Sequence, residues 1–206
     1  MKSNRFYLIM TVLIIAVVLV ACSNNGNSPN ASVKEGIQPY NLSENERYLL
    51  QSFGMEGNSH IISFNAPKEA ISLEVKVYKL GDNKKWDVIG GGGISIGKER
   101  EPVNQLSGTF TLQLKENHAI DFNINSSGRA SFKTDEIILD TETMASAKGF
   151  LQEYQEVEID KEIPVALMVY DSGTVMKNYS LEDYFEPAKF EGMDLVQVVT
   201  LMFVGE

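Results

Sequence analysis

The sequence has few of the residues from which metal, redox and nucleophilic sites are commonly built. Among its 206 residues there are one cysteine and two histidines. A single cysteine cannot form an internal disulfide, a dithiol redox pair or a cysteine-cluster metal site. Basic residues are also outnumbered, 18 to 28, by acidic ones, and the net charge is −10. The chain therefore lacks the broad basic surface typical of nucleic-acid binding, and we expect no nucleic-acid partner.

The first 21 residues have the pattern of an export signal. Lys2 and Arg5 give a short cationic start, and an apolar run broken only by Thr11 extends from Phe6 to Ala21. This run is short for a membrane span of about 20 residues, whereas secretory signals combine a charged start with a short apolar stretch. We therefore predict that residues 1–21 direct export and are removed. The alternative is an uncleaved N-terminal anchor helix.

The apolar run ends in Leu19-Val20-Ala21-Cys22, which holds the only cysteine. These four residues resemble the lipobox of bacterial lipoproteins. The resemblance implies that a signal peptidase cuts between Ala21 and Cys22 and that the Cys22 thiol carries lipid. It further implies that acyl chains hold the mature protein on the extracytoplasmic face of a membrane, where several such chains make release slow.

The residues after the lipobox predict a tether followed by one domain. Ser23 to Ser32 consists of serine, asparagine, glycine, proline and alanine, which bury little apolar area, so residues 22–39 are predicted to be a flexible tether. Residues 40–206 are long enough for a single core. The spacing of Ser43 and Glu46 is that of a capping box and predicts a helix over Glu44–Ser52.

Alternation of apolar and polar residues dominates the rest of the chain and predicts strands. Short strands without alternating helices favour a mainly β fold, a single antiparallel β-sandwich or barrel-like domain with one or two short helices. A second short helix is predicted over Leu181–Phe185, capped by Ser180. The predicted strands are Ile61–Phe64, Ile71–Tyr78, Trp86–Ile89, Leu106–Leu114, Ile120–Asn125, Glu136–Leu139, Ile163–Tyr170 and Leu195–Val204.

One glycine-rich stretch partly matches a phosphate-binding loop. Gly92 to Glu99 satisfies the Gly-x4-Gly-Lys pattern, but Glu99 replaces the hydroxyl that such a loop uses to hold Mg²⁺. Pro102 stands where the required helix would run. We therefore expect no nucleotide and no cofactor, and predict that Gly90–Gly93 forms a mobile loop or a bulge beside a strand.

The acidic and histidine residues predict neither a metal site nor a catalytic site. Four acidic residues stand two apart from Glu156 to Glu162. Carboxylates in line along a strand diverge, whereas Ca²⁺ needs convergent ligands, so a solvated strand face is the favoured interpretation. His60 and His118 have no partner at ligand or catalytic spacing in the sequence.

Trp86 and Tyr78 are the candidate ligand contacts. Trp86 is the only tryptophan and precedes Gly90–Gly93, and Tyr78 falls on the polar face of its strand. Exposed aromatic rings beside a flexible loop can stack a sugar or dock a partner. The alternative is that Trp86 is a core residue of the sandwich.

The sequence favours a lipid-anchored extracytoplasmic binding or structural module at the cell surface. Its expected partners are the membrane, through the anchor, and a cell-wall glycan or another envelope protein. The alternative is a cell-envelope hydrolase acting on a glycan or peptide. A hydrolase would need a cleft with two carboxylates, or a histidine beside a serine.

Overall fold

The computed structural model describes residues 34–96, 105–140, 142–174 and 177–205. The predicted signal peptide with Ala21, the Cys22 lipidation site and most of the predicted tether lie outside the described residues. So does the part of the phosphate-loop-like stretch from Gly97 to Pro102, which includes Glu99. Within the described part of the chain, no helix is both long enough and apolar enough to cross a membrane.

The described residues form two antiparallel sheets. The first sheet has the strand order β1-β2-β5-β6-β7 and the second has the order β4-β3-β10-β9-β8. One α-helix, α1 (Glu44–Ser52), is accompanied by 3₁₀ helices over Glu116–His118, Leu181–Phe185 and Pro187–Phe190. The strands are β1 (Gly36–Pro39), β2 (Ser59–Asn65), β3 (Ser72–Leu80), β4 (Trp86–Ser95), β5 (Ser107–Leu114), β6 (Ile120–Asn125), β7 (Arg129–Lys133), β8 (Ala145–Phe150), β9 (Ile163–Asp171) and β10 (Leu195–Val204).

The two sheets pack face to face, which confirms the predicted antiparallel sandwich and not its barrel-like variant. The inward side chains of both sheets form one core, with Phe64 and Phe203 in contact at 5.9 Å between ring centroids. A second apolar cluster lies on the outward face of the second sheet and includes Leu167, Val198 and Phe190. Because Phe190 belongs to a 3₁₀ helix, this cluster attaches the segment after β9 to the sheet.

Both predicted helices are present. The Glu46 carboxylate accepts a hydrogen bond from the Ser43 backbone N–H at 2.8 Å, and the Ser43 hydroxyl accepts one from the Glu46 N–H at 3.3 Å. This capping box begins α1 at the predicted residue. The segment Leu181–Phe185 is a 3₁₀ helix, in which the Ser180 N–H donates to the Asp183 carboxylate at 2.7 Å.

Gly90–Gly93, predicted to form a mobile loop or a bulge beside a strand, is paired with β3 as part of β4. The pairing of β3 with β4 continues to Ser95, with a bulge at Ile89 that lets the ladder resume at Gly90. A Cβ atom on Gly92 would lie 2.4 Å from the ring of Phe132 in the first sheet. Glycine is therefore required here because the edges of the two sheets approach closely, and this contact outweighs the low strand propensity of glycine.

Other boundaries also differ from the predictions. Gly36–Pro39, predicted to be tether, pairs with β2 and is the first strand of the domain. Glu136–Leu139 is not a strand, although Ile137 and Leu139 pack against the core and the Ile137 N–H donates to the Asn117 carbonyl at 2.8 Å. The segment is a loop whose alternate apolar side chains pack against the core, and this gives it the same sequence pattern as a strand.

Candidate functional site

The outward face of the first sheet carries three rows of mainly polar side chains. Side chains alternate between the two faces of a strand, so the residues between the core positions of β2, β5, β6 and β7 all point outward. The strand register aligns them across the sheet. The first row is Ser59, Gln113, Asp121 and Lys133, the second is Ile61, Thr111, Asn123 and Ser131, and the third is Ser63, Thr109, Asn125 and Arg129.

A groove of about 700 Å³ lies over these rows, and we call it the polar groove. Its floor comes from the strands, and Leu50 and Met55, from α1 and the residues just after it, add an apolar wall. A volume of this size is within the range of small-ligand sites. The polar groove is lined by Leu50, Met55, Ser59, Ile61, Thr111, Leu112, Gln113, Asp121, Asn123, Arg129, Ser131, Phe132 and Lys133.

Hydrogen bonds between side chains orient the floor of the polar groove. The Asn123 carbonyl oxygen accepts from the Ser131 hydroxyl at 2.6 Å and from the Arg129 guanidinium at 3.2 Å. Its amide nitrogen donates to the Thr111 hydroxyl at 3.4 Å. Since these contacts join three neighbouring strands, Asn123 holds the polar groups of the floor in one arrangement. Preorganised polar groups lose less entropy when a ligand binds.

The polar groove is poor in acidic side chains compared with the whole protein. Asp121 is the only acidic residue in its described lining, and Arg129 and Lys133 are its basic residues. The remaining polar groups of the lining are hydroxyls and amides, which can both donate and accept hydrogen bonds. The Ser59 hydroxyl is buried and has no hydrogen-bond partner among the described residues. The groove therefore suits an uncharged or weakly anionic polar ligand.

An acidic groove of about 810 Å³ continues from one end of the polar groove. The two grooves share Gln113, Asp121 and Lys133, and the acidic groove adds Glu116, Asp135 and Glu136. These carboxylates limit a strongly anionic ligand to the end of the polar groove near Arg129.

The structure brings the predicted contacts Trp86 and Tyr78 together, but on the second sheet. The Trp86 ring lies 5.2 Å from that of Tyr184, 6.0 Å from that of Phe190 and 6.5 Å from that of Tyr78. Its indole N–H donates to the Tyr184 carbonyl at 3.0 Å. Trp86 is half-buried, and Tyr78 is only 8% exposed. Both rings thus pack the segment after β9 onto the sheet, and ligand contact by them stays a prediction.

Glu162 joins three parts of the chain beside this aromatic cluster. Its carboxylate accepts hydrogen bonds from Lys76 at 2.8 Å, Tyr78 at 2.7 Å and Tyr184 at 2.9 Å. Burial favours the neutral carboxyl, but these three donors together outweigh it and lower the pKa of Glu162. Burial, followed by the hydrogen bond to Glu162, raises the pKa of both tyrosines. The prediction of a solvated strand face is therefore wrong in two ways: the four acidic residues lie between β8 and β9, outside both strands, and Glu162 is a structural link between elements.

The model of the YgaN domain family matches residues 36–194. The chain belongs to the YgaN domain family. The matched region of the YgaN domain begins at the first residue of β1, contains the whole polar groove and ends at the residue before β10. Comparisons with curated proteins and with solved structures give no match.

Neither histidine of the YgaN domain is placed like a catalytic base. His60 stacks on Phe150 with 5.0 Å between ring centroids, and its Nε2 atom is buried without a hydrogen-bond partner among the described residues. The His118 Nδ1 atom lies 2.8 Å from the Ile137 carbonyl, and its ring packs edge-on against Tyr170. In the described ranges, no group of three or more histidine, cysteine, aspartate or glutamate residues is arranged to hold a metal ion.

The polar groove was not predicted as a site, although part of it is visible in the sequence. Its polar rows contain Thr111, Gln113 and Asn123 where solvated strands commonly carry lysine and glutamate. The signal available in the sequence was that β5 and β6, which are successive strands, both carry hydroxyl and amide side chains on one face. The part of the floor formed by β7 gave no such signal, because Arg129–Lys133 has a single large apolar residue.

Proposed function

We propose that this YgaN domain is a lipid-anchored extracytoplasmic binding module whose polar groove takes a glycan chain of the cell envelope. The observation that carries the proposal is the set of aligned polar rows on the outward face of the first sheet. The lipobox-like sequence at Cys22 supports the anchor and the location. The acidic net charge favours a domain held away from anionic headgroups by its tether.

A glycan fits the chemistry of the polar groove. A polyhydroxylated chain offers many uncharged donors and acceptors, and hydroxyls and amides such as Thr111, Gln113, Asn123 and Ser131 can pair with either kind. Ligand hydroxyls would replace water on these side chains, whose positions are already fixed by the hydrogen bonds of Asn123. Successive rows along the strands would contact successive parts of one chain.

The polar groove is better suited to binding than to hydrolysis of such a chain. Asp121 is the single carboxylate of its described lining, and glycoside cleavage commonly uses two. Glu116, Asp135 and Glu136 line the adjoining acidic groove and do not line the polar groove. Asp121 also lies 3.9 Å from the Lys115 amine, an ion-pair distance. The binding module therefore has the stronger support of the two functions predicted from the sequence.

The proposal is tested by titrating the full-length chain, held in detergent, with N-acetylglucosamine oligomers and with purified peptidoglycan. We expect saturable binding, weakened about fivefold or more by Asn123→Ala because that change removes about 1 kcal/mol or more of hydrogen bonding. Asn178→Ala is the matched control, since Asn178 is exposed and outside the polar groove. Absence of saccharide binding, or equal affinity of wild type and Asn123→Ala, would contradict the proposal.

A further inference from the structure

Helix α1 and its C-cap residue, Phe53, carry an exposed apolar stripe beside the polar groove. Leu49 and Phe53, one turn apart, are 54% and 75% exposed, and no residue of α1 is buried. Large apolar side chains clustered on a surface commonly mark an interaction site. On the same short segment, Leu50 and Met55 line the polar groove, and Gly54 lines the adjoining acidic groove. The stripe is therefore next to the rim of the proposed site.

Helical geometry separates two exposed aromatic residues, Tyr48 within α1 and Phe53, the residue that caps its C-terminal end. At roughly 100° per residue, Phe53 lies about 60° around the helix from Leu50, and Tyr48 about 160°. Phe53 is thus on the groove side of the helix, and Tyr48, 68% exposed, is on the opposite side. The pair provides an internal comparison between two exposed aromatic rings on one helix.

The floor of the polar groove provides hydrogen bonds but no free aromatic ring. Phe132 is the only aromatic residue in its described lining, and its ring is occupied by Phe122 at 5.3 Å between centroids and by the close approach of Gly92. Sugar rings have apolar C–H faces as well as hydroxyls, and such faces are commonly covered by aromatic side chains in binding sites. A glycan in this groove would leave those faces uncovered unless the rim contributes a ring.

We infer that Phe53, supported by Leu49, is the stacking residue for a sugar ring at the rim of the polar groove. The inference rests on the proposed glycan-binding function and adds a residue that determines affinity. Phe53 has no ring contact within the described residues, so its face is available. The capping box of Ser43 and Glu46 and the hydrogen bond from Tyr40 to Glu46 hold the helix in place from its other end.

The test compares Phe53→Ala with Tyr48→Ala in the full-length chain, using the same N-acetylglucosamine oligomers. We expect Phe53→Ala to weaken binding about tenfold, corresponding to about 1.4 kcal/mol, and Tyr48→Ala to leave it unchanged. Phe53→Trp should keep or increase the affinity. Since both aromatic side chains are exposed, neither alanine variant should change the melting temperature. Equal affinity of wild type and Phe53→Ala, or an equal loss in both variants, would overturn the inference.

Two further arms separate the explanations for a negative result. If Asn123→Ala weakens binding and Phe53→Ala does not, the stacking role is wrong while the proposed function stands. If wild type binds no saccharide, both are wrong.

A lipid surface is the other candidate occupant, so Phe53→Trp is also placed in vesicles of phosphatidylcholine with brominated acyl chains. Fluorescence quenching beyond that of wild type, without saccharide, would assign Phe53 to the bilayer and overturn the inference.

Discussion

Replacement of Trp86 by alanine distinguishes a packing role from the ligand contact predicted from the sequence. The side chain is half-buried, packs against three aromatic rings and donates a hydrogen bond to the Tyr184 carbonyl. Deleting a buried tryptophan or phenylalanine side chain costs about 3–5 kcal/mol, and partial exposure of Trp86 puts the expected loss near the lower limit, about 3 kcal/mol. For a domain of this size, that loss lowers the melting temperature by roughly 6–12 °C.

Thermal melts and saccharide titrations of the full-length chain provide the assay. We expect Trp86→Ala to melt at the lower temperature while keeping saccharide affinity at temperatures where it is folded. Trp86→Phe should lose less stability, because it keeps most of the packing with Tyr184 and Phe190 and loses the indole N–H. The packing role is refuted if Trp86→Ala weakens saccharide binding and leaves the melting temperature unchanged, since Trp86 would then be a ligand contact.

Three other predictions concern the core, the sheet edges and the anchor. Burial lowers the pKa of His60 below 6.5, so the unfolded chain binds a proton at His60 more readily than the folded chain does. The free energy of unfolding should therefore fall as pH falls from about 6.5 to the pKa of the folded state. His60→Phe should reduce this pH dependence in denaturant titrations at pH 7.5 and 5.5. Gly92→Val should destabilise the domain by about 1–3 kcal/mol in thermal melts, because its Cβ atom would lie against the Phe132 ring. Cys22→Ala should abolish acyl labelling of the protein and cleavage of the signal peptide after Ala21.

Each of these predictions has a contradicting outcome. An unchanged pH dependence in His60→Phe would show that His60 is not kept neutral by burial. A Gly92→Val variant as stable as wild type would show that the sheet edges can separate without cost. Unchanged acyl labelling in Cys22→Ala would exclude this thiol as the lipidation site.

The elements predicted correctly are those whose signal lies within a few residues. The Ser43 and Glu46 pair determines where α1 begins, because the capping box is a contact between neighbours. The alternation in Ile120–Asn125 follows from one buried face, and the strand has the predicted bounds. Such signals need no knowledge of the partner strand.

The elements predicted incorrectly depend on contacts between distant parts of the chain. Gly92 is in a strand because Phe132 of the other sheet requires the space, and nothing near Gly92 in the sequence shows this. Ala145–Phe150 pairs with β9 although it has small residues and little apolar alternation. Glu162 is half-buried because Lys76 and Tyr184 come from remote segments. The polar groove likewise needs the register of four strands, which sequence periodicity does not define.

Amide hydrogen exchange of the full-length chain, with and without a saturating N-acetylglucosamine oligomer, locates the saccharide on the domain. Binding in the polar groove predicts slower exchange in β2, β5, β6, β7 and α1, the elements that line the polar groove and its rim, and no change in β4 or around Tyr184. Slower exchange confined to β4 and the segment Leu181–Phe190, or no change anywhere at a saccharide concentration that saturates binding, would contradict it.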